Sequence, residues 1–590
     1  MDRRNFVKGA AAFPLLQFVP TFAQSPHALD VAPVQSVAAL ADQPLHRRYL
    51  LTLHRVLDGA APSFTEDFLL ADVKPTAERR FTEYSGDTSG RYIGALSTAA
   101  RVYGTPFPRL DVLVRKILAL QKPDGYFGST FHYDRPTDND LALLWGNGRL
   151  LVGLLEYYRY RPSTQVLASC KRLGDFLLRI APPMLSKEIR EEFGAAHFAS
   201  SYICWTQQTE GLASLYAATH DDRYKTLTEQ IAAVIERRPG DHVHGYLTSL
   251  RGVMDLYAIT SDERLLQQCE AAWQEVAQSE DLLITGGVPE GWSPNKHRTE
   301  GCGEVDWLRL TLMLWHATAN PKYIEMAERT LFNELALNQF STGDFGHRVL
   351  TDTGISGDGA ARAWWCCTLH GLRYFPDAQS SAFHNDGAAL SFDIPIDSHI
   401  AGGNAALSAV ASSSLARDGS VRIVIRRSSD AAQSLRIRKP FWAESLTIRV
   451  NGAAADYPVN GGYAEIHRRW RAGDVVSLHY GMSVKTSSGN QNRVAFTYGP
   501  WLLGACAADD PDYFNELTAD NRLSLASDKA AAMKTNPNRA FTVPIAARTF
   551  RVTPAEFPDQ QLTVTLRALA EQTGIPTTAW QIRFLTETNT

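Results

Sequence analysis

A pattern of 15 residues recurs three times between residues 215 and 328, and it restricts the possible folds of the chain more than any other feature. The copies are LYAATHDDRYKTLTE (215–229), LYAITSDERLLQQCE (256–270) and LWHATANPKYIEMAE (314–328). In each copy apolar residues recur at intervals of three and four, a short polar turn follows a threonine, and a basic residue precedes the next apolar run. Each copy therefore predicts a helix, a tight turn and a second helix, so this region consists of repeated αα-hairpins.

Such hairpins can stack into an open solenoid or close into a toroid. The helical periodicity extends from about residue 45 to residue 375, the copies are irregular, and long insertions interrupt the turns between them. These features favour a closed (α/α) toroid with a functional site at one mouth.

The periodicity changes to two after about residue 385. SVRIVIRR (420–427) and LTIRVNG (446–452) alternate apolar with polar residues, and Asn451-Gly452 and Gly461-Gly462 are typical hairpin turns. This pattern predicts an antiparallel β-sandwich, and a further β-rich stretch follows Gly499-Pro500. We therefore expect a multidomain α + β chain with a helical domain at 40–380, a β-sandwich domain at 381–498 and a C-terminal β-rich domain at 499–590.

The N-terminal residues resemble a twin-arginine export signal. Arg3 and Arg4 precede Phe6, Lys8 and a weak apolar run that ends near Ala23. We expect residues 1–23 to be this signal and the mature protein to be periplasmic or secreted.

Charge and hydropathy argue against two classes of partner. The net charge of -4 and the pI of about 6.5 do not favour binding to nucleic acid or to a membrane surface. No apolar run outside the N-terminus reaches about 18 residues, so we expect no membrane span. The composition does not indicate an oligomeric state.

The seven cysteines are too few, and odd in number, for a disulfide scaffold. Two of them, Cys366 and Cys367, are adjacent in AWWCCTLHG (363–371). Neighbouring cysteines do not form an ordinary long-range cross-link with each other. They can be buried small apolar residues, a redox pair or thiolate ligands of a metal.

A second short stretch favours the metal hypothesis. In TEGCGEV (299–305), Glu300 and Cys302 flank a single glycine. With Cys366 and Cys367 they offer one carboxylate and three thiolates, which is a complete ligand set for tetrahedral Zn²⁺. Sulfur ligands favour Zn²⁺ over Mg²⁺ or Ca²⁺. The alternative is that Cys302 is only a small residue at a helix start and that the cysteine pair is buried.

Several stretches carry the motifs of one enzyme family in a fixed order. QKPDGYFG (121–128) resembles the family's Q-x-x-D-G-Y-L, and LLITGGVPEG (282–291) resembles Y-I-T-G-G-I-G. TEGCGEV resembles E-T-C-A, WCCTLHGLRYF (365–375) resembles C-C-P-P-N with its following arginine, and IRKPFWAESLTIRVNG (437–452) resembles R-I-P-x-W…V-N-G. This ordered series extends over most of the chain and resembles glycoside hydrolase family 127, the β-L-arabinofuranosidase family.

The resemblance implies a retaining glycosidase built on an (α/α)6 barrel with β-sandwich domains behind it, and hence an oligosaccharide or polysaccharide substrate. In that family the first cysteine of the pair is the nucleophile, which corresponds to Cys366. The family's zinc is held by this cysteine and by residues that correspond to Glu300, Cys302 and Cys367. A further glutamate is the general acid/base, for which Glu290 in GGVPEGW is the candidate.

The residues that would contact the sugar depart from the family pattern. His242 matches a substrate-contacting histidine, although a histidine at a helix end can also be purely structural. Asn147 stands where the family has a histidine, and His347 lies in the altered F-F-Y element. Trp292 is a candidate for stacking on a sugar, although a single tryptophan is more often part of the core. We expect a divergent member that removes a terminal β-L-arabinofuranoside or a related sugar from plant or algal glycans.

Three alternatives remain open from the sequence. The loop between Gly287 and Glu300 is shorter than in the family, so Glu304 is a rival of Glu290 as the acid/base. The chain can instead be another carbohydrate enzyme on the same toroid, such as a lyase or an unsaturated-uronide hydrolase, which would not need Cys366. It can also be a glycan-binding protein without turnover that keeps zinc as a structural element.

Overall fold

The computed structural model describes most of the chain from residue 43 onwards. The described residues are 43–58, 62–75, 83–194, 201–293, 298–350, 354–400, 407–488, 493–511, 514, 524–525, 530–532, 541–545, 562–569 and 580–586. The predicted export signal lies outside them. Among the described helices, none has the length and apolar character needed to cross a membrane.

Seventeen α-helices and one π-helical segment occur in the described residues. The helices are α1 (Pro44–Asp58), α2 (Glu66–Ala71), α3 (Asp87–Tyr103), α4 (Pro108–Leu118), α5 (Asp138–Tyr160), α6 (Thr164–Met184), α7 (Lys187–Glu192), α8 (Ile203–Thr206), α9 (Gln208–Thr219), α10 (Asp222–Ala232), α11 (Val243–Thr260), α12 (Glu263–Gln278), α13 (Gly301–Thr318), α14 (Pro321–Arg329), α15 (Ala336–Asn338), α16 (Cys367–Ser381) and α17 (Leu415–Asp418). The π-helical segment, Thr330–Leu335, continues α14.

Six of these helices form a closed inner ring. In ring order they are α3, α5, α9, α11, α13 and α16; each packs against the next, and α16 packs against α3. They are buried on nearly every side, as expected for helices enclosed by other helices. Helices that follow inner helices in the chain, including α6, α12 and α14, bury one face only and form an outer layer. The predicted (α/α)6 barrel is therefore confirmed.

The three sequence copies form three nearly identical turns between an inner and an outer helix. In the first, Thr219 Oγ1 accepts the N–H of Asp221 at 3.3 Å, and Asp221 caps the next helix. Between them His220 adopts a left-handed conformation with φ 54°. Ser261 (φ 55°) and Ala319 (φ 51°) occupy the same position in the other two turns. The left-handed residue ends each inner helix and reverses the chain.

Twenty-three strands form three sheets in the described residues. The strands are β1 (Arg298–Glu300), β2 (Gly346–Leu350), β3 (Gly354–Arg362), β4 (Phe383–Asn385), β5 (Ala389–Phe392), β6 (Ser398–Ile400), β7 (Ser408–Ser414), β8 (Ser420–Arg427), β9 (Ala432–Arg438), β10 (Ser445–Val450), β11 (Ala453–Ala454), β12 (Val459–Asn460), β13 (Tyr463–Arg469), β14 (Val475–Gly481), β15 (Val484–Ser488), β16 (Arg493–Tyr498), β17 (Trp501–Cys506), β18 (Ser524–Leu525), β19 (Ala531–Ala532), β20 (Phe541–Ile545), β21 (Leu562–Ala568), β22 (Trp580–Gln581) and β23 (Phe584–Thr586).

Two sheets form the predicted sandwich behind the barrel. Their strand orders are β11-β10-β14-β8-β7-β6 and β12-β13-β9-β5-β4, with every pair antiparallel except β5 with β9. Buried and exposed residues alternate along β8 and β14, so one face of their sheet lies in the core. The predicted hairpin turns are present at Asn451-Gly452 and Gly461-Gly462, all at positive φ.

The third sheet joins the mouth of the barrel to the C-terminal region. It has 12 strands, and β1, β2 and β3 are insertions between barrel helices. β3 pairs with β22, which brings Ile355 opposite Trp580. β15 and β16 also belong to this sheet, although they precede Gly499. The domain limits at residues 380 and 498 stay a prediction.

A buried ion pair connects the barrel with the sandwich. Glu328, on α14, pairs with the guanidinium of Arg438 on β9, and Trp442 Nε1 donates to Glu328 Oε2 at 3.2 Å. Glu328 is 1% exposed, so its charge depends on these two partners.

Candidate active site

The four predicted metal ligands meet at the mouth of the barrel. Glu300 ends β1, Cys302 lies in the first turn of α13, and Cys366 and Cys367 begin α16. α13 and α16 are ring neighbours with the same direction, so their N-termini are adjacent. One side-chain atom from each of the four residues lies within 4.8 Å of the others.

The spacing fits a tetrahedral Zn²⁺ ion. The sulfur of Cys367 lies 3.6 Å from that of Cys302 and 3.8 Å from that of Cys366, and 3.6 Å from Glu300 Oε1. Ligand sulfurs about 2.3 Å from a tetrahedral zinc lie about 3.8 Å from one another. The cluster can therefore hold a metal ion, and three sulfurs with one carboxylate are the donors that zinc accepts.

Cys366 is the thiol of the cluster that ionises first. Hydrogen bonds from Cys302 and Cys367, and the charges of Arg91 and His347, hold the pKa of Cys366 well below its usual range despite burial. Burial raises the pKa of Cys302 well above its usual value. Cys366 also stands at the N-terminus of α16, where the helix dipole favours an anion. It is only partly buried, whereas Cys302 and Cys367 are fully buried.

Glu290 lies beside the cluster and is held as a carboxylate. Its oxygens accept from Arg298 Nε and, at 3.0 Å, from Arg298 Nη2, and His347 Nε2 lies 3.7 Å away. Burial by itself would raise the pKa of Glu290. The interactions with His347 and Arg298 and the charge of His242 outweigh burial and hold that pKa well below its usual range.

Two predicted substrate-contacting histidines also lie in the site. β1 pairs with β2 so that Glu300 is opposite His347, which brings the His347 ring to Glu290. His242 caps α11, and its Nε2 lies 2.9 Å from Glu300 Oε2. The His242 ring therefore orients a candidate metal ligand.

Two other predicted substrate contacts are not brought into the site. Asn147 is 1% exposed, and its amide contacts backbone groups at Ser85, Leu143 and Phe127. It fixes the loop before α5 to the barrel and has no exposed group for a sugar. Trp292 is also 1% exposed and packs against Tyr246, with the Arg237 guanidinium over its ring. Both side chains are enclosed by protein in this structure, and their roles as substrate contacts stay predictions.

The rival acid/base, Glu304, has no exposed surface. It is fully buried, and both of its oxygens accept the N–H of Val288 at 3.2 Å. Burial and the neighbouring Glu334 raise the pKa of Glu304 well above its usual value. Of the two carboxyl groups, Glu290 is the one that a substrate can reach.

Sequence reasoning missed most of a buried network below the thiolates; of its members it identified only His370, as either a partner of the site or a turn residue. Arg91, on α3, contacts the rings of His244 and His370, and both rings contact Asp306. Burial lowers the pKa of His370 to about 3 and holds that of His244 well below its usual range, so both rings are neutral. For Arg91 the sequence signal is the presence of a charged residue in an otherwise apolar or small-residue helix, SGRYIGALSTAA (89–100).

The family models identify the chain as a glycoside hydrolase, a class that fits the barrel and the thiol and carboxylate groups at its mouth. The family model for the β-L-arabinofuranosidase GH127 catalytic domain matches residues 71–380, and the model for the GH127 middle domain matches residues 393–482. The chain therefore belongs to glycoside hydrolase family 127, as the motif series predicts.

Solved structures share the fold over nearly the whole chain. A GH127 β-L-arabinofuranosidase from Geobacillus stearothermophilus T6 is similar with a TM-score of 0.68 and 16% identity, covering 94% of this chain and 98% of that one. A second GH127 β-arabinofuranosidase is similar with a TM-score of 0.66 and 17% identity, covering 94% of each chain. No curated protein sequence matches this one.

Proposed function

We propose that the protein is an exported, zinc-dependent, retaining glycoside hydrolase with Cys366 as its nucleophile and Glu290 as its acid/base. The observation that supports this most directly is the cluster of three sulfurs and one carboxylate, in which Cys366 is the most exposed and most acidic thiol.

In the first step the Cys366 thiolate attacks the anomeric carbon of the terminal sugar. A carbon–sulfur bond forms while the bond from that carbon to the glycosidic oxygen breaks. The departing oxygen takes a proton from the Glu290 carboxyl group, which becomes a carboxylate. The product of this step is a thioglycosyl enzyme, with sulfur in place of the usual carboxylate nucleophile.

In the second step water releases the sugar. Glu290 accepts a proton from the water, whose oxygen attacks the anomeric carbon, and the carbon–sulfur bond breaks. Cys366 returns to its thiolate and Glu290 to its acid. Two displacements at one carbon retain the configuration of the sugar.

Glu300, Cys302, Cys366 and Cys367 would hold the Zn²⁺ ion. A bound zinc keeps coordinated thiols in the thiolate form at neutral pH. His242 contributes by holding the Glu300 carboxylate in place.

Arg298 opposes the first role of Glu290. As an acid Glu290 must carry a proton, but its ion pair with Arg298 favours the carboxylate. The Arg298 side chain is 35% exposed, so it has room to withdraw. We infer that substrate entry separates Arg298 from Glu290 before the proton is transferred.

The proposed substrate is a terminal β-L-arabinofuranoside or a related sugar of a plant or algal glycan. Family membership and the activity named for the relative from Geobacillus stearothermophilus support a furanoside. The burial of Asn147 and Trp292 leaves His242 and His347 as the predicted substrate contacts that lie in the site.

The decisive experiment combines metal analysis with a trapped intermediate. Zinc is measured by elemental analysis in the wild type, in Cys366→Ser and in a control, Cys170→Ser, whose thiol is buried in α6. The same proteins are assayed with a panel of aryl glycosides that includes a β-L-arabinofuranoside. We expect one zinc per chain and turnover in the wild type and the control, no turnover in Cys366→Ser, and a glycosylated Cys366 peptide by mass spectrometry.

Two outcomes would replace the proposal. Metal-free protein that still turns over a glycoside would transfer catalysis to carboxylates and favour another carbohydrate enzyme on this barrel. Zinc-loaded protein that binds glycans without hydrolysing any of them would indicate a binding protein with a structural zinc.

Export is the part of the proposal that rests on the N-terminal residues alone. Double substitution of Arg3 and Arg4 by lysine should keep the protein in the cytoplasm and leave its N-terminus uncleaved. Cell fractionation and N-terminal sequencing measure both, and an unchanged location would remove export from the proposal.

A further inference from the structure

One guanidinium connects four helices of the inner ring just below the thiolates. Arg91 is 4% exposed, and its Nε donates to Asp87 Oδ1 on its own helix at 2.8 Å. Its Nη2 lies 2.9 Å from His244 Nε2 on α11, and its Nη1 lies 3.0 Å from His370 Nδ1 on α16. The same Nη1 lies 3.7 Å from the sulfur of Cys302 on α13.

These contacts determine the tautomers of both histidines. A guanidinium only donates, so His244 Nε2 and His370 Nδ1 must accept. The other nitrogen of each ring then carries the proton and donates to Asp306: His244 Nδ1 to Oδ2, and His370 Nε2 to Oδ1 at 3.1 Å. Each ring thus links the Asp306 carboxylate to the Arg91 guanidinium.

Asp306 is itself fixed from two further directions. Thr248 Oγ1 donates to its Oδ2 at 2.9 Å, and Arg251 Nη1 donates to its Oδ1. Asp306 is fully buried, and Arg251 is held in turn by Glu210. Each group of the network is therefore held by at least two partners, and together they orient the Arg91 guanidinium.

His244, Asp306 and His370 lie close enough together to resemble a metal site. The arrangement of protons is against it. The two ring nitrogens without hydrogen both face the Arg91 guanidinium, and both Asp306 oxygens accept from charged or polar donors. A cation there would have to displace Arg91.

The thiolate cluster needs positive charge that its own residues do not supply. Three thiolates and one carboxylate carry four negative charges, and a divalent ion neutralises two. A hydrogen bond to a ligand sulfur withdraws charge from it and tunes the metal. Arg91 is the buried cation that meets a sulfur of the cluster.

We propose that Arg91 is a positioning residue that donates to the Cys302 sulfur, and that the His244–Asp306–His370 group holds Arg91 in place rather than binding a second metal. This inference rests on the proposed metal site and extends it to residues to which neither the motifs nor the comparisons assign a role. Arg91 offsets part of the negative charge of the four ligands. The two histidines that hold Arg91 are neutral, so they add no further positive charge.

The test uses the full-length protein with Zn²⁺ and Co²⁺. Zinc affinity is measured by competition with a chromophoric chelator in the wild type, Arg91→Met, Arg91→Lys and His370→Asn. The control is Arg159→Met, which removes a mostly buried arginine near the C-terminal end of α5, one that contacts Glu156 at 2.9 Å. Co²⁺-substituted protein adds a readout that general loss of stability does not move, the thiolate-to-cobalt absorption band.

We expect one metal ion per chain in every variant. Arg91→Met should weaken zinc binding by about 10–100-fold and shift the cobalt band to longer wavelength, because the sulfur becomes more electron-rich. Arg91→Lys keeps the charge without the planar fork, and His370→Asn removes one support of Arg91. Both variants should have a zinc affinity and a cobalt band position between those of the wild type and Arg91→Met. Arg159→Met should change neither quantity.

Failure of this inference differs from failure of the proposed function. Unchanged affinity and spectrum in Arg91→Met would refute the inference alone. A second metal ion in the wild type that disappears in His370→Asn would also overturn it, because the histidines would then be ligands. Wild-type protein that binds no metal would refute the proposed function and this inference together, and loaded protein without turnover would refute only the function.

Discussion

Replacement of Arg298 by methionine should raise the pKa of Glu290 and so increase the fraction of Glu290 that carries the proton needed for catalysis. The Glu290 carboxylate accepts two hydrogen bonds from this one guanidinium, at Nε and, at 3.0 Å, at Nη2. Methionine keeps most of the length of the side chain but removes its charge and its donors. The carboxylate would then keep only the interactions with the His347 and His242 rings.

The magnitude follows from the geometry. An opposite charge within 4–6 Å lowers a carboxyl pKa by about 1–3 units. The Arg298 side chain is 35% exposed, so solvent screens the pair and the lower end of that range applies. We expect the pKa of Glu290 to rise by about 1 unit in Arg298→Met, which corresponds to about 1.4 kcal/mol.

The sign of the effect on activity is fixed by the role of Glu290. Glu290 loses its proton as pH rises through its pKa, and the deprotonated form cannot act as the acid. The alkaline limb of the kcat/KM profile therefore reports the pKa of Glu290 in the free enzyme. Raising the pKa by about 1 unit moves this limb to higher pH by the same amount. On that limb kcat/KM should increase about tenfold for substrates with poor leaving groups.

The assay is the pH profile of kcat/KM for alkyl or weakly activated aryl glycosides, in the wild type and in Arg298→Met. The control is Arg417→Met, which removes an exposed arginine on α17 in the sandwich, where it pairs with Asp418. An alkaline limb that stays at the same pH in Arg298→Met would refute the assignment of Glu290 as the acid. A limb that moves to lower pH would refute the electrostatic account of the pair.

Three further predictions concern the framework and the metal. Glu328→Gln should lower the free energy of unfolding by about 3 kcal/mol, measured with urea, because Arg438 would face a neutral amide in a buried place; a loss under about 0.5 kcal/mol would show that the pair is dispensable. Ala319→Gly should raise the free energy of unfolding by about 0.5–1 kcal/mol, because glycine adopts the left-handed turn at φ 51° without strain; a lower melting temperature would contradict this. Chelator treatment should abolish turnover and lower the melting temperature, and Zn²⁺ but not Mg²⁺ should restore both; recovery with Mg²⁺ would exclude a thiolate-bound metal.

The sequence predicts features that depend on neighbouring residues. The hairpins are visible because each turn is encoded within a few positions, from Thr219 to Asp221 in the first copy. The fold class follows from these copies and from the change of periodicity after residue 385. The candidate ligands are visible because three sulfurs and a carboxylate have few other uses together.

Contacts made by ring closure cannot be predicted in the same way. Arg91 and Cys302 are 211 positions apart, and only the closed barrel brings them to 3.7 Å. Asn147 shows the converse, since its position in a motif suggests a sugar contact, whereas in the folded protein its amide contacts backbone groups. Residue type and order indicate chemistry, but burial decides whether a side chain can meet a ligand.

The position of the thiolate cluster has a consequence for the order in which the protein assembles. Glu300 and Cys302 belong to the fifth inner helix and its preceding strand, and Cys366 and Cys367 begin the sixth, which packs against the first. A nascent chain therefore has half of the ligands until its last inner helix leaves the ribosome, and Arg91 reaches Cys302 only after the ring has closed. The cluster lies next to the place where the sixth inner helix packs against the first and closes the barrel. A cation bound there would connect the last two inner helices. A chain whose barrel is not yet closed lacks the complete site, so only folded molecules can carry out the reaction.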